Sequence, residues 1–257
     1  MGKNQSGFAH QIIILLIVVL AVVAFVIFRI QQANNSTTNP DTSQSTSKDP
    51  TIKNIGIRLD YYNPTTNKAG DVVFKKFNFD AGGLDAIFNE YGRLNQANSA
   101  APARRNPQPT FLAPLGTHVY SLVDGTVVNV PQLYSGDYSI HVQSPGSDLI
   151  FETEHVQNVR VKVGDKVKAG DVVAEVSNYD AANIAGLGLV EIGVLIGGDS
   201  PAHACPFAYL DNSIKEDTLK KITALEDSWE QFVGDPDVFD QQSEPIPGCA
   251  ILDRVEG

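Results

Sequence analysis

The side chains best able to hold a metal or move a proton are few and scattered along the chain. The histidines are His10, His118, His141, His155 and His203, and the cysteines are Cys205 and Cys249. His203-Ala-Cys205 sets two metal-capable groups close together, and Thr153-Glu-His155 ends a strand-like run. Glu191 lies inside the apolar stretch from Leu187 to Ile196, where a carboxylate is costly unless it is paired or faces solvent. It either pairs with His155 or points to water. His155 itself is either a strand-end histidine with a satisfied hydrogen bond or a ligand-recognition residue. A hydrolytic metal centre needs at least three converging protein donors, and the pool here is His118, His155, Glu191 and His203. The candidate binding residues are His155, Glu191 and His118. Pairs such as Asp124-Gly125 and Gly164-Asp165 are turn residues rather than ligands.

The elements that must position these groups are short strands. Phe111 to Leu210 is β-rich: Val119 to Val130, Tyr138-Ser-Ile-His-Val, Val159-Arg-Val-Lys-Val and Val172 to Val176 alternate between turn signals. Regular short strands of this kind predict a closed or sandwiched β-structure. Before them, Ile55 to Tyr62 and Asp71 to Phe74 read as a long leading hairpin, Leu84 to Tyr91 as a short helix and Asn95 to Pro109 as a loop. Lys68-Ala-Gly-Asp-Val-Val and Lys168-Ala-Gly-Asp-Val-Val are identical, which reads as one turn-then-strand chemistry used twice. From Asn212 the period changes. Leu219, Ile222, Leu225, Trp229 and Phe232 mark the apolar face of a helix that packs on the β-domain. Ser213 with Glu216 reads as its capping box, and Gly234-Asp-Pro236 as its end.

The 257 residues suffice for one core of moderate size plus appendages. Ile12 to Phe28 is an unbroken apolar run, matching the ~17–25 residues of a membrane-crossing helix. A signal peptide would have a shorter run of ~7–15 residues and a small-residue cleavage site; Arg29-Ile-Gln-Gln-Ala33 is a poor one. The expectation is a single-pass anchor followed by a polar tether from Gln31 to Pro50. Lys3 and Arg29 flank the run on opposite sides, so charge barely sets its orientation. The acidic residues all follow the run: 19 Lys+Arg less those two leaves 17 basic against 30 acidic groups, a balance of -13. That argues against nucleic acid as a partner. Outside a reducing cytosol Cys205 and Cys249 either form a disulfide pinning the tail to the core, or remain buried thiols.

Ala113-Pro-Leu-Gly-Thr-His-Val-Tyr-Ser-Leu-Val-Asp-Gly-Thr-Val-Val, then Thr153-Glu-His155, Val159 to Val173 and Pro206-Phe-Ala-Tyr-Leu, occur in the order of a known family. Together they resemble the lysostaphin-type peptidoglycan endopeptidases over roughly 106 to 210. The resemblance implies a duplicated hybrid motif, a barrel-sandwich-like β domain, and a zinc ion held by a His-x-x-x-Asp motif and the second His of a His-x-His motif. In this chain those positions fall at Asn106 and Thr110, and at Leu189 and Glu191. Only His155 matches a catalytic position of the family. No histidine here begins either motif anywhere in the sequence, and Asn, Thr and Leu are not strong zinc donors.

The fold expected is therefore mainly β, with an N-terminal transmembrane helix and a C-terminal α-helix. Its divisions are 1–30 anchor, 31–50 linker, 51–104 leading hairpin segment, 105–211 endopeptidase-like domain, and 212–257 helix and tail. The functional expectation is a cell-membrane protein, mostly extracytoplasmic, with a degenerate endopeptidase-like domain that binds cell-wall glycopeptide or a partner protein. No cofactor is expected. The alternatives are an active metallopeptidase with relocated zinc donors, and a hybrid-barrel adaptor similar to efflux adaptors, though no segment supplies the long helical hairpin of those adaptors.

Overall fold

The computed structural model describes residues 51–76, 86–95, 102–179, 181–182, 184–197 and 201–257. The expected anchor at 1–30 and tether at 31–50 lie outside the described residues. Among the described residues no helix is long and apolar enough to cross a membrane.

The strands in chain order are β1 Lys68–Ala69, β2 Val72–Val73, β3 Phe88–Asn89, β4 Leu94–Asn95, β5 Arg104–Arg105, β6 Thr110–Pro114, β7 His118–Tyr120 and β8 Gly125–Asn129. They continue as β9 Tyr138–Gln143, β10 Ile150–Gln157, β11 Lys166–Val167, β12 Val172–Val176, β13 Leu187–Ile196, β14 Ala202–Ala204 and β15 Val255–Glu256. Among the described residues the α-helix, α1, is Asn212–Val233. These residues are thus mainly β with one C-terminal helix.

The main sheet runs β11-β8-β9-β10-β13-β14-β15, with β12 joining β10 to β7 and β6 joining β13 to β3. A strand has only two edges, so a strand with three partners must change neighbour along its length. β13 does so: its first half pairs with β6, ending at Glu191 opposite Thr110, and its second half pairs with β14 from Val194 opposite Ala204. Along its other edge it pairs with β10 from Glu191 to Leu195. β10 also changes partner, passing from β13 to β12 across an irregularity between Thr153 and Val156. One face of these central strands is buried apolar: Phe151, Val156, Val190, Ile192 and Val194 are all closed to solvent.

Two expected strands do not form. Ile55 to Tyr62 is interrupted at Gly56, whose φ of +81° is left-handed and whose N–H donates to Asn54 Oδ1. An added Cβ there would lie 3.0 Å from Ile192, so close approach to the core also requires glycine. Only the short β1–β2 ladder remains of the long hairpin. Val159 to Val163 starts just after Asn158 (φ +50°) and ends at Gly164 (φ +94°), and it makes one backbone bond to β12, from Arg160 N–H to Val173. The expected helix near Leu84 to Tyr91 contains β3 instead, with Phe88 opposite Phe111. Sheet pairing overrides the local period there. The loop before Pro109 holds β5.

Helix α1 buries Ile222, Leu225 and Trp229, with Leu219 and Phe232 at the margin of the core. Its cap is Asp211, not Ser213: the Asp211 carboxylate accepts from both the Ser213 N–H and its hydroxyl. Gly234, with φ +82°, ends it in the left-handed conformation. Trp229 and Phe232 meet Phe74 at centroid distances of 5.7 and 5.6 Å, and Phe74 meets Tyr62 at 4.2 Å. The leading segment and the helix therefore share one aromatic cluster. Cys205 and Cys249 form a disulfide spanning 44 residues, with Cα atoms 6.1 Å apart. The tail beyond it returns to the main sheet as β15, beside β14.

The crosslink predicts that Cys249→Ala lowers unfolding free energy by about 4 kcal/mol in urea titrations, through entropy restored to the unfolded chain. Glu226 yields a second expectation. It is fully buried on α1, and neither oxygen has a hydrogen-bond partner among the described residues. Burial, then the nearby Glu244 and Glu90, push it from 4.5 up to about 10. Its folded value lies above its unfolded one, so its favourable contribution is full below about pH 4.5 and is lost as pH rises toward 10. Glu226→Gln should stabilise by roughly 1–3 kcal/mol near pH 8 and by little near pH 5. Thermal melts across that range check it.

Candidate functional site

Strand alternation puts Glu152 and Glu154 of β10 on one face. The register sets Glu152 between His141 on β9 and Gly193 on β13, and sets Glu154 opposite Glu191. On β14, His203 stands opposite Leu195. Strict alternation would turn His155 to the other face. The irregularity in β10 and a left-handed φ of +58° at His155 bring it into the same cleft instead. The cleft, about 410 Å³, opens where β6 ends and β14 has not yet begun along β13.

Its floor is a satisfied anion. Glu152 accepts from Ser139 Oγ at 2.6 Å and lies 2.8 Å from His141 Nε2 on one oxygen; the other accepts from Gln108 Nε2 at 2.9 Å. His203 Nε2 lies 3.7 Å from that second oxygen. Burial alone would raise its pKa, but the hydrogen bonds from His141 and Ser139 and the nearby His203 win and hold it well below the usual carboxylate range. Gly193 makes room: a Cβ there would lie 3.0 Å from Glu152 and 3.1 Å from Gln108.

Above it the two facing glutamates behave oppositely. Burial, then the charge of Glu152, raise Glu154, one oxygen of which accepts from Gln108 at 3.3 Å. Burial, then Glu154, push Glu191 up to about 8, although Thr110 Oγ1 donates to it at 3.1 Å. The second Glu191 oxygen is 3.9 Å from His155 Nε2. His155 Nδ1 lies 3.0 Å from Asp137, which also accepts from Ser177 Oγ at 2.6 Å. Tyr179 stacks flat on the imidazole, 3.8 Å away between centroids and 5° from parallel. Tyr134, 90% exposed, meets Tyr179 hydroxyl to hydroxyl at 2.8 Å on the rim.

Of the sequence candidates, the fold brings His155, Glu191 and His203 into one cleft, with Glu191 3.9 Å from His155 and His203 beside Glu152 instead. His118 is exposed on β7 beside Arg160, outside the cleft lining. Cys205 is consumed by the disulfide. Glu152, Glu154, His141, Gln108 and Asp137 were not singled out. A signal existed for two of them: Glu152-Thr-Glu154 is a pair of acids two apart on a strand, and so on one face.

The profile of Peptidase family M23 matches residues 109–190, and over that stretch the chain is similar to M23 domains. A search of curated proteins returned no match. Among solved structures, a mutant catalytic domain of a prophage-encoded M23 protein from Enterococcus faecalis is 22% identical, with a TM-score of 0.36, covering 50% of this chain and 96% of its own. Lysostaphin from Staphylococcus simulans is 18% identical at TM-score 0.37, covering 48% of this chain and 49% of its own length. A zinc-containing peptidase from Vibrio cholerae is 18% identical at TM-score 0.35, covering 58% and 39%. The chain thus spans about half of lysostaphin.

The zinc ion implied by the family resemblance does not fit the residues at the matching positions. The Asn106 amide donates to the carbonyls of Gln108 at 2.6 Å and Glu90 at 3.0 Å, and so is spent on the backbone. Thr110 is engaged with Glu191, and Leu189 is buried in the core. One carboxylate does not hold the ion.

Glu152 supplies the expectation that follows from this network. Its folded pKa lies below its unfolded 4.5, so its contribution is present above that pH and is lost as pH falls toward about 2. Glu152→Gln should lower stability by about 2 kcal/mol near neutral pH, with the difference from the parent closing in acid. Denaturant titrations at both pH values check it.

Proposed function

We propose that this chain is a membrane-anchored, extracytoplasmic protein whose M23-type cleft binds cell-wall glycopeptide without cutting it. The carrying observation is the engagement of Asn106 and Thr110 in hydrogen bonds at the positions where the family's zinc donors would stand. Hydrolysis by such enzymes resembles zinc catalysis with three protein ligands and an open water position, and this donor set does not supply that arrangement. The binding face has suitable chemistry: a polar floor built on Glu152, with Tyr134 and Tyr179 on the rim. Apolar Ile12 to Phe28 supports the anchor, and the disulfide supports an oxidising compartment.

The test uses the full chain in detergent with purified cell walls and soluble muropeptides. Co-sedimentation with walls, with no new peptide termini by mass spectrometry, is the expected result. Tyr134→Ala should weaken binding about tenfold, as loss of an aromatic anchor does. Chelator-sensitive release of peptide fragments would overturn the non-cutting reading. Sedimentation of a protein partner, with no affinity for walls, would replace the ligand.

A further inference from the structure

Away from the cleft, the segment between Gly234 and the disulfide runs back along α1 and is fastened to it through acids. Phe239 N–H donates to Glu230 Oε1 at 3.0 Å, and Gln241 Nε2 donates to Glu230 Oε2 at 3.3 Å and to Asp227 Oδ1 at 3.4 Å. Phe239 itself is buried, 6.4 Å from Phe88 between ring centroids. No strand or helix forms within 235–248, so side-chain contacts alone hold the segment down. We propose that residues 235–248 are a proton-operated flap, closed on α1 while Glu226 and Glu244 are uncharged and released when these carboxyls ionise.

The geometry requires protons there. Glu226 is fully buried on α1, and neither oxygen has a hydrogen-bond partner among the described residues. Glu244, carried by the segment, has one oxygen buried and without a hydrogen-bond partner, while the other accepts from Gly248 N–H at 2.7 Å. A buried carboxyl with neither donor nor cation takes up a proton or moves to water. The charged groups facing Glu226 are acids on each neighbouring element: Glu244 on the segment, Glu90 after β3, and Asp227 and Glu230 on α1. Glu244 is faced by Glu90, Asp240 and Arg93. Arg93 is engaged by Glu90 Oε2 at 3.0 Å and by the Val238 carbonyl at 2.9 Å, so it ties the segment down at every pH.

Linkage gives the direction. Burial pushes Glu244 from 4.5 up to about 7, with Glu90 and Asp240 adding to it and the Gly248 N–H opposing it. Glu226 lies higher, at about 10. Once the segment opens, both carboxyls meet water and return toward 4.5. Closure is therefore favoured in full below about pH 4.5. It weakens as pH rises, until about 7 for Glu244 and about 10 for Glu226. Each proton released on opening raises the open population about tenfold per pH unit. The disulfide and β15 bound the motion, because Cys249 stays joined to Cys205 and β15 stays paired with β14. The flap thus works whatever ligand the cleft takes.

The test follows amide hydrogen exchange of the full chain in detergent from about pH 5 to pH 9, with rates corrected for intrinsic base catalysis. Protection of 235–248 should fall about a hundredfold per pH unit below pH 7 and about tenfold per unit above it, while α1, β10 and β15 keep theirs. Above about pH 8 Glu244 is ionised open or closed, so the remaining fall should vanish in Glu226→Gln. Protection of 235–248 that stays level with pH in the parent overturns the flap, and so does an equal fall above pH 8 in Glu226→Gln. Loss of protection throughout the chain at once would be general unfolding, and overturns it too. Should Glu226→Gln fail to fold, Glu244→Gln decides: its fall below pH 7 should be about tenfold per unit, and a slope unchanged from the parent overturns the proposal.

Discussion

The pairing of β10 with β13 places two glutamates face to face, and the rest of the cleft is built around that contact. Glu154 and Glu191 are directly opposite in the register, where two ionised carboxylates would repel. The fold answers with neutral hydrogen-bond donors, Gln108 on one and Thr110 on the other. Burial holds protons on this pair well above the usual carboxylate range, helped by the charge of Glu152 at Glu154 and of Glu154 at Glu191. Glu152, one pleat away, takes the opposite course and stays ionised, because His141, Ser139, Gln108 and His203 surround it. A single strand thus carries both a permanent anion and a titrating one.

The frame persists without the donors of the family resemblance because the frame does not depend on them. Phe111, Phe151, Val190 and Ile192 bury the opposite side of the same strands, and apolar burial is the dominant favourable term in folding. Asn106 and Thr110, at the positions where the resemblance places metal donors, add local order. Asn106 ties the backbone after β3 to the segment entering β6 through the carbonyls of Glu90 and Gln108. The architecture and the chemistry of the cleft are thus set by different residues, since function resides in the site and not in the fold.

The appended segments are integral to the sheet and core. Phe74 of the leading segment packs against Trp229 and Phe232 of α1. β3 pairs with β6, and the tail returns through the disulfide to add β15 beside β14. Tyr91 joins these parts, its hydroxyl 2.7 Å from the carbonyls of both His203 and Asp253. His203 is thereby held at the cleft wall by residues far from it in sequence.

Much of this was legible in the sequence. Alternation and turn residues announced the strands from Phe111 onward, apolar spacing announced α1, and Gly234 announced its end, because these signals are local. The absence of His-x-x-x-Asp and His-x-His is a fact of the sequence alone. Local signals failed where tertiary contacts competed: Gly56 and Asn158 interrupted alternating runs, β3 formed where a helix was read, and Asp211 took the cap from Ser213. Only the tertiary structure decided the cleft. No periodicity in one dimension shows that β10 is irregular at His155, or that Glu191 on β13 stands opposite Glu154 on β10. Those placements are set by register between strands distant in the chain, and register is fixed by which faces the whole core must bury.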